Sequence, residues 1–134
     1  VGIDFGEKRI GVAVSDSERK IALSLDVIIR KSSSFCINKL KDLLQDRDIG
    51  LIIVGIPCRE DGSFSNGSHE VHSYIDALKD HFDVPVLCWD ERYSTMIAEH
   101  VMISANVSRE GRRAIIDKVA AQIILQSYLD AQQA

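Results

Sequence analysis

Val1-Gly2-Ile3-Asp4-Phe5-Gly6-Glu7-Lys8-Arg9-Ile10-Gly11-Val12-Ala13-Val14-Ser15 reads as two strands joined by a tight turn. Val1 to Phe5 has the look of a strand end, and Gly6 to Arg9 make the turn. Ile10, Val12 and Val14 then alternate with Gly11, Ala13 and Ser15, a period of two with one bulky and one small face. A small face lets a helix pack close. Ile21, Leu23 and Leu25 alternate again, in a strand that can run on to Ile29. Strands with such short connections predict an antiparallel meander.

The pattern then changes period. Ile37, Leu40 and Leu44 form a helical stripe, with Ser33 or Ser34 placed to cap it. Leu51-Ile52-Ile53-Val54 is a continuous apolar run ending at Gly55, as expected of a strand covered on both faces. Residues 55–67 are rich in Gly, Pro, Ser and Asn and predict a loop. Val71, Ile75, Leu78 and Phe82 mark a second helix, and Val86-Leu87-Cys88-Trp89 after Pro85 a further buried strand. Ile97 and Val101 mark a third helix, and Ile116, Val119, Ala120, Ile123 and Ile124 a long fourth one. The predicted order is β-β-β-α-β-α-β-α-α. A meander followed by βαβ crossovers implies an α/β fold: a five-stranded mixed sheet with helices on its faces.

Residues 1–134 suit a single domain with one core. An apolar share of 46% against 27% charged is an ordinary globular balance, and with only two prolines and eight glycines disorder is not expected to dominate. No run nears the roughly 18 apolar residues of a membrane span, so no membrane partner is expected. No signal peptide is visible. The chain starts at Val1 rather than Met, so a few preceding residues are expected, and a short leader stays open. Cys36, Cys58 and Cys88 form no CxxC pair, which argues against a disulfide framework or zinc knuckle. They are expected to be small buried hydrophobes in a reducing cytoplasm. Lys and Arg total 16 against 20 Asp and Glu, a net charge of −4, so the chain is not globally basic. A nucleic-acid enzyme needs only local basic surface, and Lys8-Arg9 and Arg109, Arg112, Arg113 are two such clusters. Taken alone, both read first as solvated surface charge.

Sites in open α/β sheets gather beyond the carboxyl ends of the strands. Asp4 lies near the end of the first strand, Gly55 and Pro57 follow the middle one, and Asp90 and Glu91 follow the last. If these strands run parallel, all of these residues meet at one edge of the sheet. Asp117, near the expected start of the last helix, sits among Ile115, Ile116, Val119, Ala120 and Ala121. A carboxylate beside an apolar stripe needs a partner, a cation or a metal, because burying it unpaired is costly. Converging carboxylates without a Cys/His cluster suit a hard cation, Mg²⁺ or Mn²⁺. Two such ions about 3.5–4 Å apart can activate water and stabilise the leaving oxygen in phosphodiester cleavage. No GxSxG elbow or P-loop offers another chemistry. Each acid also has a plainer role open to it. Asp4 can close its turn, Asp90 can pair with Arg92, Glu91 can be a surface acid, and Asp117 a first-turn helix acid.

Ile3-Asp4-Phe5-Gly6-Glu7-Lys8-Arg9-Ile10-Gly11-Val12-Ala13-Val14-Ser15-Asp16 resembles the opening signature of the YqgF family. This is the RNase H-like family of Holliday junction resolvases, also described as pre-16S rRNA nucleases. Ile53-Val54-Gly55-Ile56-Pro57 with Asp61-Gly62-Ser63 resembles its second motif. Val86 to Thr95, with Asp90-Glu91-Arg92 and Ser94-Thr95, resembles the third, and Ile116-Asp117-Lys118-Val119-Ala120-Ala121 leading to Ile124–Asp130 the fourth. The resemblance spans nearly the whole chain in motif order; Asp4-x-Gly6 alone is weak. It implies a five-stranded RNase H-like sheet with helices on both sides, and Asp4, Glu91 and Asp117 as catalytic, metal-holding carboxylates. Cys58-Arg59-Glu60 departs from the residues expected after Pro57, without removing a ligand. The implied activity is metal-dependent endonucleolytic cleavage, in precursor 16S rRNA maturation or in resolving branched DNA.

Around that triad, Lys8, Arg9, Arg92, Arg109, Arg112 and Arg113 are candidates for backbone phosphate contacts. Arg92 can equally hold Glu91 or Asp90. Arg109 is expected in a loop before the last helix. Gly6, Gly55, Pro57, Asp90 and Thr95 are supporting candidates. His69 and His72 have helical i,i+3 spacing but no third ligand nearby, so a surface role is expected. Trp89 is expected in the core rather than stacked on a base, and Phe64 is a weaker stacking candidate. Two other readings stand beside the nuclease: a non-catalytic nucleic-acid-binding or ribosome-associated factor, and an actin-like phosphotransferase, which normally needs a second lobe. A resolvase cutting two symmetric strands suits a homodimer.

Overall fold

The alternation of residues 10–15 becomes a two-faced sheet in the computed structural model. The structure describes residues 1–6, 8–56, 68–90 and 108–132, with the side chains of 68, 69, 109, 110 and 112–118 outside the description. The elements in chain order are β1 (Gly2–Phe5), β2 (Arg9–Ser15), β3 (Ala22–Ile29), α1 (Ser33–Leu44), β4 (Ile52–Ile56), α2 (Ser68–His81), β5 (Val86–Asp90) and α3 (Arg109–Gln132). The sheet order is β3-β2-β1-β4-β5. The meander β1-β2-β3 is antiparallel, as read from the sequence. β4 joins β1 in parallel and β5 joins β4 in parallel, so β1, β4 and β5 end at one edge.

The bulky face of the sheet carries Ile3, Ile10, Val12, Ile52, Val54 and Ile56 against α1 and α2. Cys36, Ile37, Leu40 and Leu44 meet it from α1, and Val71, Tyr74, Ile75 and Leu78 from α2. Each fully buried aliphatic side chain here contributes about 1.5–3 kcal/mol. The small face carries Ala13, Ala22 and Ile53 against Ala121, Ile124, Leu125 and Leu129 of α3. The missing side-chain volume brings α3 close. A Cβ placed on Gly11 would stand 3.3 Å from Ala121 Cβ, and one on Gly2 only 2.6 Å from Leu125 Cβ. Gln126 and Gln122 tie α3 to the far strand. Gln126 Oε1 accepts from Ala22 N–H at 2.8 Å, and Gln122 Nε2 donates to Ala22 O at 2.9 Å.

Several local expectations are corrected. The α1 cap is Ser32, one residue earlier than read: its backbone is extended and its Oγ accepts from Phe35 N–H. In β3 the alternating Ile21, Leu23 and Leu25 do not form the buried row. Ala22 and Ile28 are buried, while Ile21 is 56% and Leu23 49% exposed. A register shift opposite Val12/Ala13 changes which β3 residues face inward, and β3 is an edge strand. β5 is the other edge, so only Val86 is buried there; Leu87 and Cys88 are exposed. Cys36 is buried as expected, and Cys58 lies outside the described residues. Among the described residues of α3, the buried stripe is Ala121, Ile124, Leu125 and Leu129, which keeps Ile124 of the stripe read but not Val119, Ala120 or Ile123. Its helix begins at Arg109, so Arg109 is helical rather than in a loop. Asp117 is then two turns inside α3, beyond the first turn where the helix dipole favours an acid. His72 is half-buried rather than on the surface. The helix read around Ile97 and Val101 lies outside the described residues. Among the described residues, no helix is long and apolar enough to cross a membrane.

Candidate active site

Asp4 stands one residue before the end of the central strand, and the register decides its surroundings. It pairs with Gly11 of β2 on one side and Gly55 of β4 on the other. Paired residues share a face of the sheet. The row therefore runs Val27, Gly11, Asp4, Gly55, Trp89 across all the strands. The residues paired with the half-buried Asp4 on both neighbouring strands are thus glycines, which add no side chain beside its carboxylate. This is the face that α3 covers, since Gly11 looks at Ala121 and Trp89 at Ser127.

The direction of α3 follows from the same contacts. Leu125 lies over Gly2 and Ala121 over Gly11, so α3 runs antiparallel to β1. Its N-terminal half thus reaches the edge where Asp4 lies. The i,i+4 ladder that carries Leu125 and Ala121 continues through positions 117 and 113. The backbone of residue 117 is one turn beyond Ala121 toward that edge. The side chains of Asp117, Arg109, Arg112 and Arg113 are outside the described residues, as are Glu91, Arg92, Pro57, Thr95 and Phe64 altogether.

Among the remaining candidates, Arg9 opens β2 two residues before Gly11, hence on the face of Asp4, and is exposed. Lys8 is also exposed, in the turn. Gly6 closes that turn: its N–H donates to Arg9 O at 2.9 Å, and a Cβ there would meet that same oxygen at 2.7 Å. Asp90 is the last residue of β5 rather than the first after it. It pairs with Ile56, which is buried on the α1/α2 face, so Asp90 sits on the opposite face from Asp4. The structure thus brings Asp4, Gly55 and Arg9 together on one face and sets Asp90 apart. Trp89 is half-buried against α3, donating from Nε1 to Ser127 Oγ at 3.1 Å and meeting Tyr128 edge-on at 5.4 Å. That agrees with its expected packing role.

One residue near the site carried no signal in the sequence. Arg30, just past β3, donates from Nη1 to Gly6 O at 2.8 Å and lies over the Phe5 ring. A lone Arg after an alternating strand has no motif, and only the return of β3 beside β2 brings it to the turn. Among the described residues, no three His, Cys, Asp or Glu side chains cluster to hold a metal. Of the three carboxylates read as ligands, only Asp4 has a described side chain.

A five-stranded sheet ordered β3-β2-β1-β4-β5, antiparallel on one flank and parallel on the other with helices on both faces, is an RNase H-like α/β fold. The family model RuvX, Holliday junction resolvase, matches residues 1–131. The chain belongs to this family, the one its four sequence motifs resemble. A relative from Halothermothrix orenii, named "Putative pre-16S rRNA nuclease", is 46% identical over 98% of this chain and 94% of its own length. One of the same name from Thermoanaerobacter pseudethanolicus is 40% identical over 99% of this chain and 96% of its own. Among solved structures, a Fowlpox virus resolvase in complex with Holliday junction DNA aligns over 99% of this chain and 97% of its own. It does so at 10% identity and a TM-score of 0.48. The family is one of nucleases.

Proposed function

We propose that the chain is a divalent-metal-dependent endonuclease that hydrolyses phosphodiester bonds in precursor 16S rRNA or branched DNA. The observation that carries this reading is Asp4: a carboxylate near the end of the central strand, paired with a glycine on each neighbouring strand. A purely structural acid gains nothing from being flanked by residues without side chains. Asp4, Glu91 and Asp117 supply oxygen donors only, which suits Mg²⁺ or Mn²⁺ rather than a thiolate- or imidazole-seeking metal. When bound, such ions supply Lewis acidity to the phosphate and to the attacking water. Asp4 holds and orients the cation from the strand end. Arg9, exposed on the same face, and Lys8 in the turn neutralise backbone phosphates. Arg92, Arg109, Arg112 and Arg113 extend that role, and Gly6, Gly55, Pro57 and Thr95 support the site, while Asp90 could support it only from the opposite face of the sheet.

The test is a cleavage assay on a four-way DNA junction and on precursor 16S rRNA, each with and without Mn²⁺. Asp4→Asn and Asp117→Asn are expected to lose cleavage by several orders of magnitude while still binding the substrate. Full activity in both variants sinks the assignment. Binding without metal-stimulated cleavage of either substrate would leave a non-catalytic factor on this fold. The substrate that is cut decides between RNA maturation and junction resolution.

A further inference from the structure

Arg30 reaches the turn beside Asp4 from the rear of the sheet. Its Nη1 donates to Gly6 O at 2.8 Å, and its Nη2 donates to Glu70 Oε2 at 2.8 Å. Its guanidinium carbon stands 4.2 Å from the centroid of the Phe5 ring, which stacks on Tyr74 of α2 at 4.9 Å. Its own backbone N–H donates to Lys8 O at 2.9 Å. One residue thus joins the end of β1, the β1–β2 turn, the end of β3 and the first turn of α2. The arrangement is semi-enclosed, with the Arg30 side chain 22% exposed. Phe5 and Asp4 are consecutive in β1 and face opposite sides, so Arg30 grips the strand behind the carboxylate.

We propose that Arg30 is a positioning residue for the metal site: by clamping Phe5, Gly6 and Lys8 it sets the depth and direction of the Asp4 carboxylate. The proposal rests on the reading of Asp4 as a metal ligand. The physical need is clear. A functional carboxylate must be held within about 0.5 Å of its productive place. Asp4 is followed by a single strand residue and then a glycine, the most permissive backbone in the chain. The planar fork of an arginine can bond a carbonyl and a carboxylate at once while stacking on a ring. A lysine cannot reproduce this geometry with its single ammonium.

The experiment uses the full chain. Mn²⁺ binding is titrated by calorimetry, cleavage is measured against Mn²⁺ concentration, and urea midpoints are recorded. The variants are Arg30→Met, Arg30→Lys, Glu70→Gln and, as a control, Asp4→Asn. Arg30→Met and Arg30→Lys are expected to raise the Mn²⁺ concentration for half-saturation and half-maximal cleavage by about tenfold, the scale of outer-shell partners. KM for nucleic acid at saturating Mn²⁺ should stay unchanged. Glu70→Gln should move the same way by less. An unchanged Mn²⁺ requirement overturns the proposal: with raised KM it makes Arg30 a substrate contact, and with only a lowered urea midpoint it makes Arg30 merely structural. If Arg30→Met does not fold, Arg30→Lys and Glu70→Gln carry the test, and no shift in either overturns it. If Asp4→Asn binds Mn²⁺ as the parent does, or the parent binds none, it is the metal-site reading that fails. That outcome is distinct from one in which Asp4→Asn loses Mn²⁺ while the Arg30 variants keep it.

Discussion

Two aspartates near the ends of neighbouring strands show how local geometry separates a structural acid from a candidate functional one. Asp16, at the start of the β2–β3 turn, accepts from Lys20 N–H at 2.8 Å and Ile21 N–H at 3.2 Å. Those bonds, Lys20 first, hold its carboxyl below the usual aspartate range. Arg19 in the same turn adopts the left-handed conformation, φ 60°, which the Asp16 bonds help to hold. A depressed folded value means the carboxylate contributes stability above the ordinary aspartate pKa. That contribution is lost as pH falls through the folded value. Asp16→Asn is therefore expected to be less stable than the parent at neutral pH, with the gap narrowing below about pH 4. Urea midpoints across that range check it, and a pH-independent gap would refute the charge-based account. Beside Asp4, the β1–β2 turn carries the Gly6 N–H to Arg9 O bond.

At the scale of elements, the small face of β1 and β2 decides where α3 lies, and α3 decides which residues can approach Asp4. Gly2 is the tightest point of that contact, its missing Cβ falling 2.6 Å from Leu125 Cβ and 3.0 Å from Ala121 O. Neither is the free end of a flexible side chain, so the helix itself must move. Gly2→Ala is expected to cost about 1–3 kcal/mol, the usual range for overpacking, read as a lowered urea midpoint. Unaltered stability would mean that α3 is not held at this distance. The edge strands show the opposite limit. β3 and β5 each have one neighbour, so the apolar runs that read as buried strands leave Leu23 and Leu87 about half exposed.

For the whole molecule, charge placement matters more than charge total. A net charge of −4 opposes approach of a polyanion, while Lys8 and Arg9 stand exposed beside the carboxyl edge of the sheet. Binding of a four-way junction in Ca²⁺ is therefore expected to weaken steeply with salt. Arg9→Gln should reduce the slope of log K against log salt by about one. An unaltered slope would place Arg9 outside the interface.

The amino-acid order alone determined the periods, and from them the meander, the buried central strand, the small face awaiting a helix and the motifs that name the family. These follow because side-chain alternation and helical spacing are local properties of the backbone. It also singled out Asp4. What the tertiary structure decided is everything that depends on which strand lies beside which. Pairing set glycines on both sides of Asp4, turned Asp90 to the other face and left β3 and β5 at the edges. It also brought Arg30 to Gly6, 24 residues away in the chain. Register and neighbour identity are fixed by the packing of the whole sheet between its helices, and no single segment contains that information.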